Sequence, residues 1–285
     1  MKRQYTITVV GLGLIGGSMA IDLRRRGVAS SVRGVESDPV NAAAARQIGL
    51  VDEVVPYAEC TEGSDVIVLA VPVGEAARML PEILGRPGME RKTVIDVCST
   101  KSGMVKAAEG HPMRGRYVAT HPMAGTEYSG PWAAMSGLFD GKACVVCDAG
   151  SSDRDAADVT EELYDALNMR IIHMEACNHD MHAAYVSHIS HVTSFALALT
   201  VLKKERSDRH IFDLASGGFS STVRLAKSSA DMWVPILAQN KDNLLDVIDT
   251  YMTQMQAFRD AIASSDRQGI RELITEANRI RRIIK

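Results

Sequence analysis

The sequence has no long hydrophobic run, no excess of one charge and no cysteine framework, and each absence excludes a class of protein. No uninterrupted apolar stretch approaches the roughly 20 residues a membrane helix needs, so no membrane partner is expected. Lys and Arg number 32 against 35 Asp and Glu, a net charge of −3 with the basic residues dispersed. That excludes the basic face of a nucleic-acid binder. The one compact basic run, Arg24-Arg25-Arg26, falls in the last turn of an expected helix, where cations suit the dipole, and reads as a solvated helix end. Five cysteines, at 60, 98, 144, 147 and 177, are an odd number without framework spacing, which points to reduced thiols in a cytoplasm. Cys144 and Cys147 have CxxC spacing but lie in a strand-like run, where residues three apart face opposite sides. No second pair completes a zinc site, so both read as buried apolar residues. A strand follows Met1 almost at once, so no leader is expected, and no repeat or low-complexity segment is visible.

What is present is an alternation of strands and helices. Tyr5 to Val10 reads as a strand, followed by a glycine loop and a helix that Gly27 can stop. Val32 to Val35 is a second strand, closed by Glu36. Asp38-Pro39 then starts a helix, with Asp as N-cap and Pro at the first position. Asp65 to Val71 is apolar on both faces, the mark of a central parallel strand. A helix from about Gly74 to Leu84 precedes a strand from Thr93 to Cys98. Further strands are expected at Arg116–Thr120, Ala143–Cys147 and Arg170–Met174, with a helix from about Asp153 to Leu167. From Glu175 onward the pattern is helical, with breaks at Ser216-Gly217-Gly218 and around Pro235. The expected fold is therefore α/β: an N-terminal Rossmann-type doubly wound sheet over residues 1–174, then an all-α C-terminal domain over 175–285 for substrate binding and dimerisation. Leu244, Ile248, Tyr251, Met255, Phe258 and Ile262 form an a/d seam that fits either a core face or a second subunit.

Three groups of residues carry chemistry. Gly11, Gly13 and Gly16 form GxGxxG between strand and helix, and Glu36 ends the second strand twenty residues past Gly16. Glycines there allow a tight turn and close approach of a pyrophosphate, while a carboxylate at the strand end binds ribose hydroxyls and repels a 2′-phosphate. NAD is the expected cofactor, contacted by Gly11, Gly13, Leu14, Ile15, Gly16, Glu36, Val71 and Pro72; Arg33 in the same strand keeps NADP open. Second, His121 leaves a strand at the edge where such sheets bind ligands, and its ordinary pKa lies near neutral. Third, the helical half carries His179-Asp180, Ser187, His188 and His191, and then a glycine loop leading to Arg224 and Trp233. An arginine presented this way suits a substrate carboxylate. The two His-xx-His pairs lack a carboxylate at metal-site spacing, so no metal is expected.

Five segments in order resemble the prephenate/arogenate dehydrogenase family over nearly the whole chain: Gly11 to Ser18, Asp96-Val-Cys-Ser99-Thr-Lys101, His121-Pro-Met-Ala-Gly-Thr-Glu127-Tyr-Ser-Gly130, His179-Asp180 with Ser187 to His191, and Ser216 to Phe219 with Arg224 and Met232-Trp233. The resemblance implies NAD(P)-dependent oxidative decarboxylation in tyrosine biosynthesis, of prephenate to 4-hydroxyphenylpyruvate or of arogenate to tyrosine. It further implies that His121 accepts the ring hydroxyl proton and that Ser99 orients that hydroxyl and the nicotinamide. Arg224 would hold the ring carboxylate. His191, His188 and Trp233 would line the substrate site, and Glu127 would organise its mouth. Members with an added chorismate mutase or regulatory domain are not matched by a chain of this length. A β-hydroxyacid-type dehydrogenase is the competing enzyme, but it would use a lysine of the helical half as acid/base. A catalytically silent dinucleotide sensor is the competing non-enzyme.

Overall fold

The structure is a computed structural model that describes residues 4–207 and 210–283. One sheet contains β1 (Tyr5–Val10), β2 (Ala29–Val35), β3 (Glu53–Val54), β4 (Val66–Leu69), β5 (Thr93–Asp96), β6 (Tyr117–Pro122), β7 (Ala143–Cys147) and β8 (Arg170–Met174). Their order is β3-β2-β1-β4-β5-β6-β7-β8. All neighbours are parallel except β6 and β7, which pair antiparallel. The connections include α1 (Leu14–Arg25), α2 (Pro39–Gln47), α3 (Val73–Leu84), α4 (Ser102–Ala108) and α5 (Arg154–Ala166). Asp38 caps α2 as its sequence requires, its carboxylate accepting from the N–H groups of Val40 and Asn41. The winding reverses between β1 and β4, which leaves a crevice beyond the carboxyl ends of the strands.

Alternating side chains feed one core on each face of the sheet. Val9, Val66, Val68, Cys144 and Val146 join one cluster; Val10, Ile67, Leu69, Val145 and Cys147 join the other. Cys144 and Cys147 thus sit on opposite faces, both fully buried, and burial pushes both thiols far up, that of Cys147 to about 12.

Helices follow β8: α6 (Ala176–Ala183), α7 (Ile189–Glu205), α8 (Gly217–Val223), α9 (Ala230–Gln239), α10 (Lys241–Ala263) and α11 (Arg267–Ala277). By compactness the chain divides into residues 1–240 and 241–285. The first unit keeps α6 and α9 because Ala176, Trp233 and Ile236 are buried in the core cluster of Ile67, Leu69 and Leu80. Pro235 does not break the chain: it lies inside α9, forgoing one N–H bond, and the break falls at Asn240.

Two expectations are corrected. Arg24-Arg25-Arg26 is not simply a solvated end. Arg24 pairs with Asp52 and donates to the Gly49 carbonyl, and Arg26 bonds Asp140 and the Ala166 carbonyl, so the end of α1 is tied to the loops beside it. The stretch Ala176–Glu205 is long and apolar enough to cross a membrane by length and composition, with a mean hydropathy of 1.3 over its best window. Short apolar runs hid this because His179, Asp180, His182, His188 and His191 interrupt them.

Candidate functional site

The glycine loop sits at the reversal between β1 and β4. Gly11 has φ +98°, and a Cβ there would lie 2.5 Å from the Ala70 carbonyl oxygen. A Cβ on Gly16 would lie 2.1 Å from the Gly11 oxygen, so only glycine lets α1 start this close to β1. A Cβ on Gly13 would stand in open space, the side from which a ligand can approach. No side chain caps α1, leaving the N–H groups of its first turn, Leu14, Ile15 and Gly16, for an anion. Glu36 accepts from the N–H groups of Leu12 and Asp38, which fixes its carboxylate beside the loop. Val71 meets Gly11 from the end of β4, and Pro72 is the N-cap of α3. Arg33 is drawn away: it pairs with Glu53 and bonds the Glu59 and Glu62 carbonyls. These residues fit a dinucleotide whose 2′-hydroxyl is unphosphorylated.

His121 leaves β6 at the same edge, three strand spacings from β1, or about 14 Å. A dinucleotide spans such a distance. His121 is buried, and its Nδ1 lies 2.8 Å from His179 Nε2. His179 Nδ1 in turn lies 2.9 Å from Asp180 Oδ1. Burial, then the charges of His179, Lys101 and His188, hold His121 well below its ordinary pKa, so the imidazole is neutral at neutral pH. The ordinary histidine value near 6.5 therefore overstates where its acid limb falls. Burial would push Asp180 up, but hydrogen bonds from His179 and from the N–H groups of Ser102 and Lys101 pull it below the usual carboxylate range. Ser99 is half-buried in the turn after β5, and its hydroxyl makes no hydrogen bond among the described residues.

A buried ion pair holds this edge together, and the sequence reading assigned it no role. Lys101, with none of its side chain exposed, pairs with Asp96 and donates to the Thr120 carbonyl. Asp96 also accepts from Tyr117 Oη (2.7 Å), Thr120 N (3.3 Å) and Cys98 N (3.0 Å). The residues just before Ser99 and His121 are thus fixed to one carboxylate. A lysine and an aspartate flanking an apolar strand end were the available signal.

Between α6 and α7 the helix takes one π turn, Ala184–His188, a feature frequent at functional sites. His188 Nδ1 receives the Asn240 amide at 3.1 Å, and burial lowers its pKa to about 4. Its Nε2 is buried without a partner among the described residues, as is Trp233 Nε1. His191 stacks on Trp233 with ring centroids 3.6 Å apart, and its Nδ1 bonds the Ser187 carbonyl. Arg224 Nη1 donates to Glu127 Oε2 at 2.7 Å, which brings the glycine-loop arginine to the His121 loop. The structure thus gathers His121 with His179 and Asp180, His188 with His191 and Trp233, and Arg224 with Glu127, with His188 close enough for its charge to act on His121.

Known proteins are similar to this chain along its length. The family model described as prephenate dehydrogenase, nucleotide-binding domain, matches residues 19–173, and that described as prephenate dehydrogenase, dimerization domain, matches 175–276. A prephenate dehydrogenase of Bacillus subtilis is 30% identical over 94% of this chain and 73% of its own. The crystal structure of prephenate dehydrogenase from Aquifex aeolicus in complex with hydroxyphenyl propionate and NAD+ superposes with a TM-score of 0.88 at 27% identity, covering 100% of this chain and 99% of that one. A Synechocystis arogenate dehydrogenase gives 0.76 at 25% identity over 98% and 100%.

Proposed function

The chain belongs to the prephenate dehydrogenase family, and from that premise we propose that it oxidises prephenate with NAD, giving 4-hydroxyphenylpyruvate and carbon dioxide. The observation that carries the reading is a buried, neutral imidazole at the same sheet edge as the dinucleotide loop. NAD, when bound, supplies the hydride acceptor. His121 accepts the proton of the ring hydroxyl as hydride leaves the carbon that bears it. The carbon–carboxylate bond then breaks, its electrons enter the ring, and the ring becomes aromatic. No proton is released overall, so His121 returns its proton to the phenolate oxygen. Ser99 orients the hydroxyl, Arg224 holds a substrate carboxylate, and Glu127 sets the mouth of the site. A lysine base of the β-hydroxyacid type is disfavoured, because Lys203, Lys204, Lys227 and Lys241, the described lysines of the helical half, are all exposed.

Arogenate is the second reading, since a solved relative carries that name. Two buried donors favour prephenate. With Nδ1 of neutral His188 receiving the Asn240 amide, its Nε2 carries the proton, and Trp233 Nε1 is donor-only. Unpartnered N–H groups suit the keto oxygen of prephenate, not the ammonium of arogenate. Both substrates at matched concentrations, each with NAD and with NADP, test the reading through formation of reduced nicotinamide. The expected outcome is the highest kcat/KM for prephenate with NAD, Glu36 meeting the 2′-phosphate of NADP unfavourably. A preference for NADP would overturn the assignment of Glu36, and inactivity with both substrates would overturn the function.

Arg224→Ala is expected to raise substrate KM with little change in KM for NAD. The arginine side chain is half exposed and already engaged by Glu127, so the effect belongs near the low end for a charged pair, about 2 kcal/mol or roughly 30-fold. An unchanged substrate KM would leave Arg224 as a partner of Glu127 alone.

We also propose a cytoplasmic homodimer. The five cysteines are unpaired, which supports a reducing compartment. On α7 and α9, Leu199 and Val234 are 67% and 64% exposed, and in α10 the seam residues Tyr251, Met255 and Ile262 are exposed. Apolar exposure on this scale suits a subunit interface. Light scattering at micromolar concentration is expected to give twice the chain's mass of 30.9 kDa; a monomer would reject the dimer.

A further inference from the structure

The row His121–His179–Asp180 is more specific than a cluster of polar side chains. Each nitrogen of His179 has one partner: Nε2 faces His121 Nδ1 at 2.8 Å and Nδ1 faces Asp180 Oδ1 at 2.9 Å. Asp180 Oδ1 also accepts from Lys101 N at 2.7 Å, and Oδ2 from Ser102 N at 2.8 Å. That side chain is therefore held by the start of α4 and can only accept. An ionised carboxylate accepts, so His179 Nδ1 carries the proton. If that is the only proton on the ring, His179 Nε2 has a lone pair and accepts. His121 Nδ1 must then donate, and His121 Nε2 is left unprotonated. All three side chains are buried, which removes water as a competing partner.

We propose that His179, itself set by Asp180, is a positioning residue that holds His121 in its Nδ1–H tautomer, with Nε2 as the atom that takes the substrate proton. The inference deepens the function proposed above and rests on it only for the identity of the reaction. In water a histidine favours the Nε2–H tautomer, in which Nε2 cannot act as base. Setting the tautomer of a catalytic histidine through its other nitrogen is a recurrent device, and its loss in a geometry-preserving variant of a Ser-His-Asp triad lowers kcat by about 10⁴. The groups facing His121 are His179 and His188 from the helical segment and Lys101 from the turn after β5. Of these, His179 alone bonds its ring.

The test uses the full chain with ¹⁵N-labelled histidine and two variants. His179→Gln keeps an oxygen that can accept from His121 Nδ1–H; His179→Leu keeps comparable bulk but cannot accept. Long-range ¹H–¹⁵N spectra read the tautomer, with His121→Asn assigning the signal of residue 121 by its loss. Wild type and His179→Gln are expected to show His121 protonated at Nδ1, and His179→Leu to show a shift toward Nε2–H. In turnover, His179→Leu is expected to lose at least roughly 10-fold in kcat with substrate KM within about twofold, and His179→Gln to recover most of that loss. A merely structural role would make the apolar variant no worse than the polar one. His121 protonated at Nε2 in the wild type would overturn the proposal, as would full kcat in His179→Leu with an unchanged pH profile. The tautomer needs no substrate to be read, so inactivity toward prephenate would strike the function and leave this inference to be judged by its own spectrum.

Discussion

His121→Asn is expected to lower kcat by about 10²–10⁴, the usual contribution of a positioned general base. Asparagine is close to histidine in size and polarity but cannot accept the hydroxyl proton. Substrate KM is expected to move much less, because Arg224 still holds the carboxylate. The pH profile carries a second part of the prediction. Burial and the neighbouring charges of His179, Lys101 and His188 favour the uncharged ring, so the folded pKa lies well below the ordinary value. The base is therefore competent throughout the neutral range, and kcat/KM should stay level as pH falls through 6.5 and decline only further into acid. The same sign applies to stability. The unfolded chain takes up protons on His121 and His188 before the folded chain does, so their contribution is intact above pH 6.5 and is lost progressively as pH falls toward the folded values, about 4 for His188. A wild-type limb centred near 6.5, or near-normal kcat in His121→Asn, would place the base elsewhere; His191 would be the next residue to replace.

How much of this was legible before the structure follows from what kind of information each feature needs. The sheet was readable because Asp65 to Val71 is apolar on both faces and Asp38-Pro39 carries its own helix start; both signals are local. The nucleotide loop was readable for the same reason, Gly11, Gly16 and Glu36 being constrained by one turn and one strand end. His121 could be named from its strand exit, but its partner could not, since His179 lies 58 residues away and only tertiary packing brings the rings together. Asp180 could be named only as a polar residue of the helical half; that its carboxylate is occupied by α4 and His179 needed the structure. The π turn has no sequence signature; it ends on His188, one turn before His191. Compactness divides at Asn240 because Trp233 and Ile236 reach the core beneath β4, a contact that no helical periodicity announces.

Lys101→Met is expected to lower stability by about 3–5 kcal/mol, the range for breaking one partner of a buried ion pair. Methionine fills a similar volume, so the loss is electrostatic rather than a cavity. Asp96 would keep Tyr117 Oη and the N–H groups of Thr120 and Cys98 but lose its countercharge in a site with no exposed side-chain surface. The Thr120 carbonyl would lose a donor as well. For a chain of this length the thermal midpoint should fall by roughly 10 °C. Removing Asp96 together with Lys101 should not restore it, because the tyrosine hydroxyl and the two backbone N–H groups would then be stranded. The variant also reaches the chemistry. The Lys101 charge is one of the causes that depress His121, so the acid limb of kcat/KM should move toward higher pH in Lys101→Met. Thr120 and Cys98 adjoin His121 and Ser99, so a loosened Asp96 should lower kcat in the surviving folded fraction too. A midpoint within about 2 °C of wild type, with the acid limb unmoved, would show that water or a rearranged partner replaces the ammonium and that the pair neither anchors this edge nor tunes the base.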